Sequence, residues 1–128
     1  MALVEKLEVV QIGPGLGAAV CTRLLADLGA HVSRIDQDSS SPLAAWLNHA
    51  KSAANTAEAE RAALGTARLI VREESPKLPA SSPYTLAALR RSNPNAVVVT
   101  ISLDHYDIDQ LRKYAQFILP DRYASKSV

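Results

Sequence analysis

Near the start of the chain, VVQIGPGLGAAV places Gly13, Gly15 and Ala18 in a G-x-G-x-x-A spacing, and acidic Asp36 follows about twenty residues on. Glycines at that spacing allow a tight turn and let a pyrophosphate approach a helix N-terminus. The N–H groups and partial positive charge there hold the anion, while the acid takes a ribose hydroxyl. Gly13, Gly15, Leu16, Gly17 and Ala18, together with Asp36, are therefore the candidate nucleotide-binding set. The same glycines at a strand-to-helix junction also serve a purely structural end, permitting the turn and close packing. The spacing alone leaves both readings open.

Other reactive residue types lack a matching arrangement. His31, His49 and His105 lie in different segments without metal-ligand spacing, so no metal is expected. Ser39, Ser40 and Ser41 read as a turn and helix cap, because no G-x-S-x-G elbow presents a nucleophile. Asp104, Asp107 and Asp109 open a helix, where the dipole alone favours acids. Cys21, the single cysteine, reads as a small buried hydrophobe. No catalytic residue is assigned among them.

The elements that would position the glycine turn follow from periodicity. Leu7 to Ile12 is a short β-branched run leading straight into the glycines, a first strand. From Ala18 to Leu28 the residues Val20, Leu24, Leu25 and Leu28 recur at helical spacing, with Gly29 at the cap. HVSRID is a second strand and completes a βαβ unit with a right-handed crossover. A polar loop follows, and Pro42 opens a short helix carrying Trp46. The next helix runs from about Thr56 to Leu64, with Asn55 and Glu58 spaced as a capping box and Gly65 as its stop. ARLIV is a third strand, and the proline-rich EESPKLPASSP an exposed loop. Pro83 and YTLAALRRS give a helix closed by the turn NPN, and the unbroken apolar run AVVVTIS reads as a central strand buried on both faces. A last amphipathic helix starts near Asp107, with Ile108, Leu111, Ala115 and Ile118 on one face. The expected fold class is α/β: a Rossmann-like doubly wound parallel sheet of about four strands with flanking helices. It forms a single domain over residues 1–120 with a loose polar tail at 121–128.

Composition narrows the function classes. At 128 residues, 48 % apolar and 21 % charged, the chain has what one folded core needs and little room for a second. A net charge of +1 with scattered lysines and arginines gives no field to recruit nucleic acid or an anionic membrane. No stretch approaches the length of an apolar membrane span, and Glu5 and Glu8 interrupt the apolar N-terminus. A lone cysteine and no export signal make the cytoplasm the expected compartment.

Three stretches in order resemble the N-terminal region of the class III CoA-transferases, the formyl-CoA transferase and carnitine CoA-transferase family. LLADLGAHVSRID is similar to that family's LLADLGAEVIKVE, LNHAKSA to its LNRGKRS, and LRRSNPNAVVVTIS to its LRAxNPRLVYxSIS. The matches lie within residues 7–102. The resemblance implies a Rossmann-like subdomain whose glycine turn approaches the nucleotide end of coenzyme A rather than NAD, and interlocked dimers. Departures accompany it. The family's V-E-N-F-x-P-G element, which supplies CoA contacts, is replaced by Val71, Arg72, Glu73, Glu74, Ser75 and Pro76, and two carboxylates there would repel a phosphorylated ligand. Gln37 stands where a basic residue is usual, and Ser102, Leu103 and Asp104 replace a glycine-containing turn. The family's catalytic aspartate lies beyond the matched stretch, so no residue here takes its role. The resemblance thus implies a truncated or non-catalytic N-terminal module of a larger protein. It would act in assembly or docking, as a homo-oligomer or against another domain of the parent polypeptide, with coenzyme A as the ligand to test. The seam is expected at Leu111, Tyr114, Ala115, Phe117 and Ile118. The alternative is a small NAD-type dinucleotide-binding enzyme subunit using Gly13, Gly15 and Asp36.

Overall fold

Runs of valine and isoleucine become strands, since their stiff branched side chains favour extended backbone. The computed structural model, which describes residues 4–13, 15–35, 42–73 and 78–101, has strands β1 (Glu8–Ile12), β2 (His31–Ile35), β3 (Ser52–Ala53), β4 (Leu69–Glu73) and β5 (Val97–Ile101). Between them lie helices α1 (Leu16–Asp27), α2 (Pro42–Leu47), α3 (Ala57–Thr66) and α4 (Leu86–Ser92). The strands form one parallel sheet in the order β3-β2-β1-β4-β5. Central β1 sets both registers, with Val9 opposite Val32 on one side and Leu69 on the other. This is the Rossmann-like α/β fold expected from the alternation of elements, with a fifth strand.

Each sheet face carries its own core, because alternate residues of a strand point to opposite sides. Val9, Val32 and Val71 pack beneath Ala18 of α1, with Leu25 and Ala26 at the margin. On the other face Val10, Ile12, Ile35 and Ile70 pack with Leu89 of α4, and with Ala63 and Leu64 of α3. The sheet-facing residues of α1 are small: Ala18, Ala19 and Thr22 are all buried. Small residues let the helix lie close to the sheet, and Leu16, Val20, Leu24 and Leu28 are left exposed on its outer side.

The helix ends obey local chemistry. The backbone of α1 closes with Gly29 at φ +108, its N–H donating to Ala26 O and that of Ala30 to Leu25 O, the paired bonds of a Schellman cap. Thr56, not Asn55, caps α3: its hydroxyl accepts from Ala59 N at 3.0 Å, so no capping box forms with Glu58, and the helix continues through Gly65. Thr85 caps α4 in the same way.

Two further expectations are corrected. The sequence gives no strand between the helix carrying Trp46 and the helix that starts near Thr56; β3 lies there, two residues of Ser-Ala held by pairing with Ser33 and Arg34 and too short to carry a period. β5 is an edge strand among the described strands rather than a central one, with Val97 63 % and Val99 41 % exposed. An unbroken apolar run shows that a strand lacks a polar face, not that it has a neighbour on each side. Asp36, the serines 39–41, the helix and seam expected after Asp107 and the tail lie outside the described residues.

Buried polar groups tie the second half of the fold together. Asn93, buried beyond the end of α4, donates from Nδ2 to Leu64 O and Ala67 O, both at 2.8 Å, satisfying carbonyls at the end of α3. Asn93→Ala leaves them unpaired and should lower unfolding stability by about 2 kcal/mol. Urea unfolding checks this as a lower midpoint at unchanged m-value. Tyr84 donates its hydroxyl to Glu60 Oε2 of α3. Burial, with that hydrogen bond and the Glu60 charge, pushes the Tyr84 hydroxyl from 10.0 up to about 12. The unfolded chain releases this proton earlier than the folded one. The resulting stability is therefore complete below pH 10.0 and is lost as pH rises toward about 12. Alkaline titration of phenolate absorbance should lose its highest-pH step in Tyr84→Phe, and a retained step would contradict the assignment.

Candidate functional site

The glycine turn sits at the carboxyl end of β1. There the strand order reverses: β1 leads by α1 to β2 on one side, while β4 lies on the other. Open parallel sheets bind ligands in the crevice at such a switch point. Gly13 adopts φ +107, which only glycine takes without strain, and its N–H donates to Ile35 O at 3.2 Å. Gly15 is the N-cap of α1 at φ −74, an ordinary conformation, and no side chain of its own caps the helix. Leu16 is exposed, Gly17 lies in the first turn and Ala18 is fully buried. The structure thus brings together all the described members of the candidate set, and Asp36 lies outside the described residues.

The cradle these residues form is already filled from within. Glu73, at the end of β4, directs its carboxylate onto the start of α1, where Oε1 accepts from Ala18 N at 2.7 Å. Ala18 is the third helical residue, the position whose N–H an N-cap side chain normally satisfies. Glycine has no side chain to do so, and α1 has no acid in its first turn. A carboxylate from the neighbouring strand takes over, aligned with the positive end of the helix. Its position explains Gly15: a Cβ there would coincide with the Glu73 carboxylate. A Cβ at Gly17 would crowd Glu73 Oε1 at 3.2 Å and Ile101 Cγ2 at 3.1 Å. The second glycine of a dinucleotide motif leaves room for pyrophosphate; here that room holds Glu73. An anion entering the turn would have to displace a carboxylate of the same charge.

A polar knot next to the turn fixes how α1 meets the sheet. Gln11 of β1 is fully buried, and its Oε1 accepts from Thr22 Oγ1 at 2.6 Å and from Lys51 Nζ at 2.8 Å. Lys51 also donates to Ala19 O at 2.9 Å and Asn48 Oδ1 at 3.1 Å, binding the loop after α2 to the first turns of α1. The oxygens of Gln11, Ala19 and Asn48 around the ammonium offset much of its partial burial. The sequence reading did not assign Gln11, Thr22, Lys51 or Glu73 to the site. A polar glutamine within an apolar strand was the available signal for the knot. For Glu73 it was an acid at a strand end in a chain whose first helix has none.

Residues the sequence reading set aside fall elsewhere. His31 pairs with Glu8 at 2.8 Å across the exposed start of β1 and β2. Cys21 is half-buried against the α1-side core. Among the described residues no three of His, Cys, Asp and Glu are placed to hold a metal ion, and no helix is long and apolar enough to cross a membrane.

No family model and no curated protein matches this sequence. Among solved structures the fold is similar to that of a mutant of Rv3272 from Mycobacterium tuberculosis, with a TM-score of 0.60 and 19 % identity over 79 % of this chain and 33 % of that one. The chain spans a third of that protein's length, and the likeness is one of fold.

If Gly15 exists to admit Glu73, substitutions at the two positions should not add. Gly15→Ala evicts the carboxylate and Glu73→Ala removes it, each costing about 1 kcal/mol as the loss of a helix cap. The double variant should cost no more than either single one, giving a coupling of about 1 kcal/mol in a double-mutant cycle of urea unfolding. Additive losses would show that Gly15 is required for another reason.

Proposed function

We propose that this chain is a class III CoA-transferase-like module that is non-catalytic by itself and acts in assembly. Its glycine turn serves as a structural joint rather than a nucleotide site. The sequence resemblance supports the family, and the occupied cradle supports the loss of nucleotide binding there: Glu73 already supplies the negative charge that the start of α1 accepts.

The observation that carries the assembly reading is the outer side of α1. Leu16, Val20, Leu24 and Leu28 recur every fourth residue and are 42–61 % exposed, with Leu43 and Trp46 of α2 exposed alongside. At 1.5 Å per residue the stripe runs about 18 Å. The charges beside it are paired with each other, Arg23 to Asp27 at 3.1 Å, and Arg23 also covers the Trp46 ring at 4.6 Å from its centroid. An uncharged stripe on a single helix is self-complementary, so a second copy of the chain across a two-fold axis is the occupant that fits.

The wild type should sediment as a dimer at micromolar concentration and Leu24→Glu as a monomer, since a charge placed in a dry contact costs several kcal/mol. A monomeric wild type overturns the assembly reading. In calorimetry neither CoA nor NAD should give heat that Gly15→Val abolishes. Tight NAD binding lost in that variant would favour a dinucleotide-binding enzyme subunit instead.

A further inference from the structure

Neither the filled cradle nor the dimer stripe accounts for Arg72. It follows Leu69, Ile70 and Val71 in β4 and is only 4 % exposed. Strand alternation turns it away from its neighbour Glu73, onto the face where Ile70 packs with α3 and α4. Its register partners are Ile12 of β1 and Thr100 of β5. Nη1 donates to Thr100 Oγ1 at 2.9 Å, while Nε is enclosed and has no partner among the described residues. No carboxylate among the described residues lies at ion-pair distance from it; Glu73 is engaged on the opposite face by Ala18.

Such a residue is costly to bury. Guanidinium carries a permanent charge and a planar fork of donors, and enclosing it without a counter-charge is strongly unfavourable. With Nη1 committed to Thr100, the Nε–Nη2 edge is left without a partner among the described residues. That edge has the geometry to grip two oxygens of one carboxylate or phosphate. Arg72 also stands beside the switch point, where β1 and β4 end together.

We propose that Arg72 anchors an oxyanion-binding site on the α3–α4 side of the sheet rim, taking the carboxylate or phosphate end of a small molecule through its Nε–Nη2 edge, with Thr100 fixing the guanidinium plane. The site is separate from the glycine turn, on the other face of the sheet. It does not depend on the assembly reading.

The test is thermal unfolding of the full chain titrated with inorganic phosphate, with acetate, and with chloride at matched ionic strength. The wild-type Tm should climb with the logarithm of phosphate or acetate concentration beyond the chloride control, and whichever anion acts identifies the ligand class. Arg72→Met, close in volume and uncharged, should lose that response while being at least as stable as the wild type without anion. Arg72→Lys should respond less than the wild type because it lacks the fork. Three results would overturn the proposal: no anion-specific shift in the wild type, an equal shift in Arg72→Met, or an Arg72→Met chain that is unfolded or clearly destabilised without anion. The last would show that a carboxylate of the chain itself already fills the fork.

Discussion

One hydrogen bond ties the first helix to the strand beyond β1, at the place where the order of the strands reverses. The Glu73 carboxylate of β4 receives the Ala18 amide of α1 at 2.7 Å, across 55 positions of sequence. It satisfies a helix donor that the glycine N-cap leaves open and sets a negative charge against the positive end of the helix. The absence of side chains at Gly15 and Gly17, the closeness of α1 to β4 and the position of Ile101 beside the first turn all fit around that carboxylate. The glycine motif and the strand-end acid thus form one device, in which the acid occupies the volume a phosphate takes in a nucleotide-binding turn.

From this joint the character of α1 follows. The helix lies low on the sheet over Ala18, Ala19 and Thr22, and the Gln11–Thr22–Lys51 knot holds its first turns in register with β1. A helix seated on its small residues turns its large ones outward. The same sequence that gives close packing therefore produces the exposed stripe of Leu16, Val20, Leu24 and Leu28. On the opposite face Arg72 carries a charge into the sheet one residue before Glu73, so adjacent side chains serve opposite sides of the rim.

Much of this architecture was legible because it is locally encoded. β1 and β4 hold short β-branched apolar runs, β2 sets Val32 and Ile35 among polar residues beyond the first helix, and the Gly29 cap needs only a residue tolerant of positive φ. What was missed depends on partners distant in sequence. β3 exists through its pairing with β2, and the place of β5 at the edge of the described strands follows from strand order rather than from its valines. The α3 cap fell one residue late, on Thr56, because Asn55 and Thr56 are both good caps and backbone geometry decides between them. The glycine motif was visible, but its use was not. Whether that space holds a phosphate or a side chain depends on which strand lies next to β1 and on the parity that points Glu73, rather than Arg72, at α1. The acids of this element, Glu73 and Glu74, oppose a phosphorylated ligand by charge alone, and that much is visible in the sequence.

The Glu73 carboxylate caps α1 through the Ala18 amide, and amide NMR reads that bond at its donor. A charge-assisted hydrogen bond draws an amide proton downfield and slows its exchange with solvent. The account predicts that in Glu73→Ala the Ala18 amide moves upfield and exchanges faster, with the amides of Leu16 and Gly17 also responding and those of the α3–α4 face unmoved. An Ala18 amide with unchanged shift and exchange in that variant would contradict it.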